Sequence, residues 1–415
     1  MKKLLKSASL ITAGAAITTV AAFAAEGGSK IYTLTAGLRG FYDDNIFTRN
    51  EATSPAGGVE EAFGFEVTPG IRFNIPLEQT TISFGYTYGL RYFQDRPGKD
   101  YDQFHLADFA LNHRFSERYQ VSVFDSFSAA QEPEQVAPVG AGGTPISQVF
   151  RAEGTNIRNT AGVDFTAVIT PLWSVVLGYR NGFFDYSFDQ FANVLNRMEH
   201  LPSIGVRYQA TAKTVTSLNY QYGDINYDEA SYRDNTSHYV FAGVDHSFSQ
   251  RLVASLRAGA QFVDWDNALA GTRNDAVNPY IDANMTYAYT EGSSVQLGVR
   301  HGRNATDLDD VQNLTQSVLD QQSTLVYGSI KHQITGKLRG SLIGQYQNSE
   351  FIGVTKNNAF DGSGEDYFSI GVMFNYAINP YLSAEAAYYY DRLGSDVALR
   401  EYDRNRVFFG IRATY

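Results

Sequence analysis

Over most of its length the chain repeats hydrophobicity with a period of two, in runs of about ten to thirteen residues. In residues 80–92, Ile82, Phe84, Tyr86, Tyr88 and Leu90 fall on one side, with Ser83, Gly85, Thr87, Gly89 and Arg91 on the other. Residues 63–75 set Phe63, Phe65, Val67, Ile71, Phe73 and Ile75 against Gly64, Glu66, Thr68, Gly70, Arg72 and Asn74. Successive side chains of a strand point to opposite faces, so each run reads as a strand with one apolar and one polar face. The 3.6-residue periodicity of helices is nearly absent. Strands of soluble proteins average about five or six residues. Runs of ten or more have the length that crosses a hydrocarbon core when tilted.

Followed along the chain, the pattern predicts eighteen strands. They lie near 31–42, 62–75, 80–93, 104–115, 119–130, 155–168, 173–185, 201–210, 214–223, 236–248, 252–263, 279–289, 294–301, 322–334, 338–347, 366–378, 382–391 and 405–415. Connections alternate strictly between short and long. The short ones start roughly 38–45 residues apart, apart from one interval of about 54, which makes the hairpin an internal repeat with one insertion. The repeat is visible in residues too: His113-Arg114-Phe115-Ser116-Glu117-Arg118 parallels His246-Ser247-Phe248-Ser249-Gln250-Arg251.

In lipid every backbone group must be paired within the protein, so a sheet spans a membrane only by closing on itself. The expected fold class is therefore all-β: a closed antiparallel transmembrane β-barrel of about eighteen strands (16–18), with short periplasmic turns and long extracellular loops. An even strand number puts both termini on one side, the periplasmic side in barrels of this kind. Phe409, Ile411 and Tyr415 make an apolar, aromatic-ended last strand that resembles the C-terminal insertion signal read by the barrel-assembly machinery.

The start of the chain sets the compartment. Lys2, Lys3 and Lys6 precede a short apolar stretch from Leu10 to Val20, and Ala22-Phe23-Ala24 is a small-x-small cleavage site. Residues 1–24 thus read as a secretory signal and 25–415 as a single barrel domain. No cysteine is present, which excludes a lipid-anchored cysteine, a disulfide scaffold and a thiol nucleophile. With 33 Lys+Arg against 44 Asp+Glu and no basic block, the chain is no nucleic-acid binder.

After the first strand stands Tyr42-Asp43-Asp44-Asn45-Ile46. This resembles the opening motif of the second β-barrel porin family of Gram-negative outer membranes. The resemblance implies an outer-membrane barrel in contact with lipid and lipopolysaccharide, and says little about solute. Taken as residues alone, Asp43, Asp44 and Asn45 predict a solvated turn at the start of a loop rather than a cation site.

A barrel of sixteen to eighteen strands encloses more space than side chains fill, so the polar face should line water. That face holds thirteen basic and six acidic positions. Its basic set includes Arg72, Arg91, Arg158, Arg180, Arg207, Arg257, Arg300 and Arg339, with Arg180, Arg207 and Arg257 away from strand ends. Rings of Arg favour anions, which predicts passive diffusion of small polar solutes with a mild anion preference. The competing reading is that these arginines pair with wall acids and stiffen the barrel.

The insertion at 131–153 is rich in Pro and Gly. It could turn into the lumen as a constriction, bringing Glu132 and Glu134 against the Arg wall, or remain an exposed loop. Alternative functions are an export conduit for an acidic exopolysaccharide and a plugged structural or adhesive surface barrel. No nucleophile elbow, HExxH or phosphate-binding glycine loop is present, so no enzyme, cofactor or metal is expected. Homo-oligomerisation is left open.

Overall fold

The computed structural model describes residues 30–50, 60–130, 155–187, 189–268, 271–306, 308, 317–356 and 358–415. The leader and the insertion holding Glu132 and Glu134 lie outside the described residues. The strands are β1 (Tyr32–Asp43), β2 (Ala62–Pro76), β3 (Thr80–Phe93), β4 (Tyr101–Arg114), β5 (Tyr119–Ala130), β6 (Asn156–Val168), β7 (Trp173–Tyr186), β8 (Arg197–Thr211) and β9 (Thr214–Tyr227). They continue with β10 (Asn235–Ser247), β11 (Leu252–Trp265), β12 (Asp275–Thr290), β13 (Ser293–Asn304), β14 (Val318–Gln333), β15 (Leu338–Gly353), β16 (Gly364–Asn379), β17 (Leu382–Ser395) and β18 (Tyr402–Thr414). One short helix, α1 (Asp189–Leu195), and a 3-10 turn at Ser231–Arg233 lie in long connections.

Each strand pairs antiparallel with its neighbours in the chain, and β1 pairs with both β2 and β18, so the eighteen-stranded sheet closes with no free edge. Residues opposite each other in the register share a face. Arg39 stands opposite Glu66, which stands opposite Arg91, and this face points into the barrel. The other face carries the apolar set: Leu38, Leu256 and Leu297 are about half exposed, and Leu218 and Phe409 reach 63% and 66%. A continuous exposed apolar belt has no place in water. It fits a hydrocarbon core, and here it encircles the molecule.

A ring of tyrosines runs along the belt on the side of the long connections. Tyr86, Tyr179 and Tyr220 hydrogen-bond through their hydroxyls to the Nδ1 atoms of His105, His200 and His238, each at 2.8 Å. Tyr346 donates to Asp366 at 2.6 Å, Tyr388 to Asn405 at 2.7 Å, Tyr390 to Asp403 at 2.6 Å and Tyr42 to Glu61 at 2.5 Å. In each case the partner lies two residues diagonal to the residue directly opposite the tyrosine, as with Tyr86, opposite Ala107 and bonded to His105. Rings with an apolar body and a hydrogen-bonded tip belong at a membrane interface.

The strands run past this ring, and there the structure departs from the sequence expectation. β14 begins at Val318 rather than near 322, β15 ends at Gly353 rather than near 347, and β8 begins at Arg197 rather than near 201. Beyond Tyr346 the inward residues of β15 are Gln347 and Ser349 and the outward ones Asn348 and Glu350. The backbone ladder continues while hydrophobic alternation stops. A pattern search ends at the edge of the membrane; the sheet does not.

Candidate functional site

The inner wall is built from the polar residue set. Arg72 donates to both carboxylate oxygens of Asp108 at 2.9 and 2.8 Å. The two lie on β2 and β4, and the pair reaches across Gly85 of β3, where a Cβ atom would stand 2.4 Å from Asp108 and 2.6 Å from Arg72. Arg91 donates from Nε to Glu66 at 2.9 Å, and Arg39 forms an ion pair with the other Glu66 oxygen at 2.7 Å. Arg180 pairs with Asp164 at 3.4 Å, Arg257 with Asp245 at 3.3 Å and Arg412 with Glu385 at 3.5 Å. Arg257 and Arg300 both stand opposite Asp282 in the register, and Arg207 lies in the field of Asp245 and Asp164. Arg339 donates to Gln333 at 3.0 Å near the short-turn end. Arg158 is placed with its guanidinium 5.9 Å from the Tyr186 ring, near the long-connection end of β6.

The wall is therefore a lattice of alternating charge rather than a bare ring of guanidinium. Five of the six wall acids of the sequence reading accept directly from arginine: Glu66, Asp108, Asp164, Asp245 and Glu385. One further pair was missed in the sequence: Asp391, fully buried, accepts from Arg406 at 2.6 Å. Basic residues still outnumber acids along this face.

The Tyr42–Ile46 motif does not form the solvated turn expected of it. Asp43 is 2% exposed and Arg404 1%, and the Arg404 Nε donates to both Asp43 oxygens at 2.9 and 3.0 Å. Asp44 accepts from the Asn405 backbone N–H at 2.6 Å and from its side-chain amide at 2.7 Å. Asn45 donates to the carbonyls of Arg49 at 2.9 Å and Asp403 at 3.0 Å. Ile46 packs with Phe41, Ala62, Phe93 and Phe408. The motif is a clasp on the β18–β1 seam. Its carboxylates were read as solvated because their partners lie at the far end of the chain.

On the opposite side of the rim the long connections are cross-linked. Arg233 is wholly buried and donates to the carbonyls of Val318 (2.8 Å), Val194 (2.9 Å), Thr306 (3.0 Å) and Leu308 (2.8 Å). Asn267 donates to the Ser231 carbonyl at 3.0 Å and to Asp234 at 3.1 Å. Arg273 binds Asp361 at 2.9 and 2.8 Å and donates its backbone N–H to Val354 at 2.9 Å. Trp265, Val263, Leu319 and Val354 form an apolar cluster beneath them. None of this was legible in sequence, where these residues look like ordinary loop polars. Burial with neighbouring Asp266 and Asp224 raises the Asp234 carboxyl above the usual range, against the lowering effect of the Tyr227 N–H and Asn267 bonds. Burial with Asp224 and Asp264 nearby does the same to Asp266. Phe409, Ile411 and Tyr415 stand exposed on the outward face of the last strand or at its end.

Closed eighteen-strand topology, an apolar belt and a charged interior define a transmembrane β-barrel of the outer-membrane type. Residues 315–415, which span β14 to β18, match the family described as "Putative beta-barrel porin 2", the family that the Tyr42–Ile46 motif resembles. Among solved structures, the chain is similar to a BenF-like porin from Pseudomonas fluorescens Pf-5 (13% identity, 94% of this chain and 100% of that one, TM-score 0.47). It is also similar to OpdK of Pseudomonas aeruginosa solved with vanillate (11%, 92% and 99%, 0.45) and to OccAB4 of Acinetobacter baumannii (10%, 93% and 99%, 0.44). No curated protein matches the chain.

Proposed function

We propose that the protein is a porin of the Gram-negative outer membrane, a passive diffusion channel for small polar solutes with a mild anion preference, and that it performs no catalysis. The observation that carries this reading is the eighteen-strand closure around a polar, arginine-rich face, since a barrel this wide exceeds what its side chains fill. Arginine beyond what the wall acids neutralise attracts anions, and low-dielectric walls focus that field. Pairing moderates the effect, which is why the preference is mild. The pore-lining roles of Arg72, Arg91, Arg158, Arg180, Arg207, Arg257, Arg300 and Arg339 belong to this proposal, as do the export leader, periplasmic termini and recognition of the last strand by the assembly machinery.

Single-channel recording of the refolded mature protein under a salt gradient tests it. Stable steps with an anion-biased reversal potential are expected, and Arg180→Glu with Arg257→Glu should move that potential toward cations. An unchanged potential in the double variant would remove the selectivity claim. The packed rim favours a second reading, a barrel plugged at its long-connection end, which predicts silence from folded, inserted protein.

A further inference from the structure

We propose that two glycines set the bore of the channel: Gly89 and Gly162 are seats on which the rings of Phe104 and Phe124 lie against the wall, and the size limit for solutes depends on those rings staying seated. This deepens the channel reading and rests on it. Phe124 stands opposite Gly162, which stands opposite Arg180, so the three cross β5, β6 and β7 in one row on the inward face. A Cβ atom at Gly162 would meet Cε1 and Cζ of the Phe124 ring, the latter at 2.6 Å, and Cγ of Arg180 at 3.2 Å. The ring occupies the space that a side chain would take. Phe104 of β4 stands opposite Gly89 of β3, and three atoms of its ring fill the Cβ position there. The arrangement recurs with Tyr327 on Gly298 and Tyr389 on Gly371, so it is a building rule of this wall. A missing side chain lets the ring of the neighbouring strand reach the backbone.

Position makes the two phenylalanine seats matter for passage. On β14 and β15 the inward Leu325, Tyr327, Gln345 and Gln347 are buried. On β4 and β5 the inward Phe104, Asp108 and Phe124 are half-buried and Ser126 is exposed. Open lumen therefore lies against the β4–β5 wall, where the two rings are the largest apolar groups. Among the residues directly opposite Phe124 or two along its strand, Ala110, Ser122 and Ser126 carry a Cβ and Gly162 does not. A ring displaced from its seat must stand on a side chain and rise into the lumen, because the ring can change rotamer while the backbone is held in the ladder. Pore diameter then falls, and with it the size of solute admitted. The Arg180 guanidinium lies 5.8 Å from the Phe124 ring, so neutral probes are needed to read bore apart from charge.

The test uses the full mature chain in liposomes and bilayers, with neutral sugars of graded size as probes. Wild type, Gly162→Ala, Phe124→Ala and the double variant are compared, with the temperature of conversion to the unfolded form on electrophoresis as a separate structural readout. The set is repeated with Gly89→Ala and Phe104→Ala. Each glycine variant should exclude the largest sugar that enters the wild type and show smaller single-channel steps. Each phenylalanine variant should admit a larger sugar, and each double variant should regain at least the wild-type limit. The two stability losses should be less than additive, since alanine at the seat meets no ring once the phenylalanine is gone. Additive losses would overturn the seats. Sub-additive losses with an unchanged size limit in a permeable wild type would overturn their control of the bore. Folded protein impermeable to every sugar in all forms would overturn the channel reading, and the bore with it. Should a glycine variant not fold, rescue of folding by the phenylalanine replacement decides the seat, and the limit in the phenylalanine variant decides the bore.

Discussion

Single side chains decide whether this barrel closes and stays closed. Asp43 and Arg404 are a buried pair, and leaving one charge buried without its partner typically costs about 3–5 kcal/mol. Asp43→Asn should therefore lower the temperature at which the folded barrel converts to the slower-migrating unfolded form on electrophoresis. Asp43→Asn with Arg404→Gln should recover part of that loss, and no recovery would show that the two residues act separately. Gly85 is a second such position. Its missing Cβ leaves the path along which Arg72 reaches Asp108, so Gly85→Ala should pull that pair apart while leaving the strand in place. Destabilisation of about 1–3 kcal/mol is expected, the range for overpacking, and it should shrink when Asp108 is replaced by Ala. Neither position announces itself in the sequence. Asp43 looks like a turn residue until a partner 361 residues away is placed beside it, and Gly85 looks like a weak point in a strand.

At the scale of strands and connections, the register itself can be tested. Leu218 points outward and Ser126 inward. Leu218→Lys should cost about 2–4 kcal/mol near mid-membrane and less toward the interface, while Ser126→Lys should insert normally. Equal loss of insertion for both would refute the face assignment. Strand existence was legible in the sequence, because each span must carry an apolar face from one interface to the other. The outer ends of β8, β14 and β15 were not, because above the tyrosine ring the alternation of apolar and polar residues stops. The rim was least legible, since Arg233 and Arg273 gain their partners only when separate connections meet. Asp234 and Asp266 give that rim a pH response. Both carboxyls are raised in the folded rim, so their protonated forms favour it. Their contribution is present below the ordinary carboxylate range and is lost as pH rises through the raised values. Acidification from neutrality toward about pH 4 should slow rim exchange, corrected for intrinsic rates. Exchange that quickens on acidification would contradict this.

For the whole molecule, the paired wall predicts a selectivity that fades with salt. Charge effects in an aqueous lumen act over a Debye length of about 10 Å at 0.1 M and about 3 Å at 1 M. The anion-to-cation ratio should fall toward one across that range, and a ratio that stays constant would point to direct binding rather than to a field. The seam clasp has another consequence, one of timing. Synthesis runs from β1 to β18, and a loop of this length is closed against a large entropy. Until residues near Arg404 emerge, the edge of β1 has no mate, and an unpaired strand edge is a template for aggregation. A chain stalled before Tyr402 possesses every strand but the last and no closure at all. The cell must therefore shelter this polypeptide for the whole of its delivery, and the final dozen residues carry the moment at which a sheltered chain becomes a barrel.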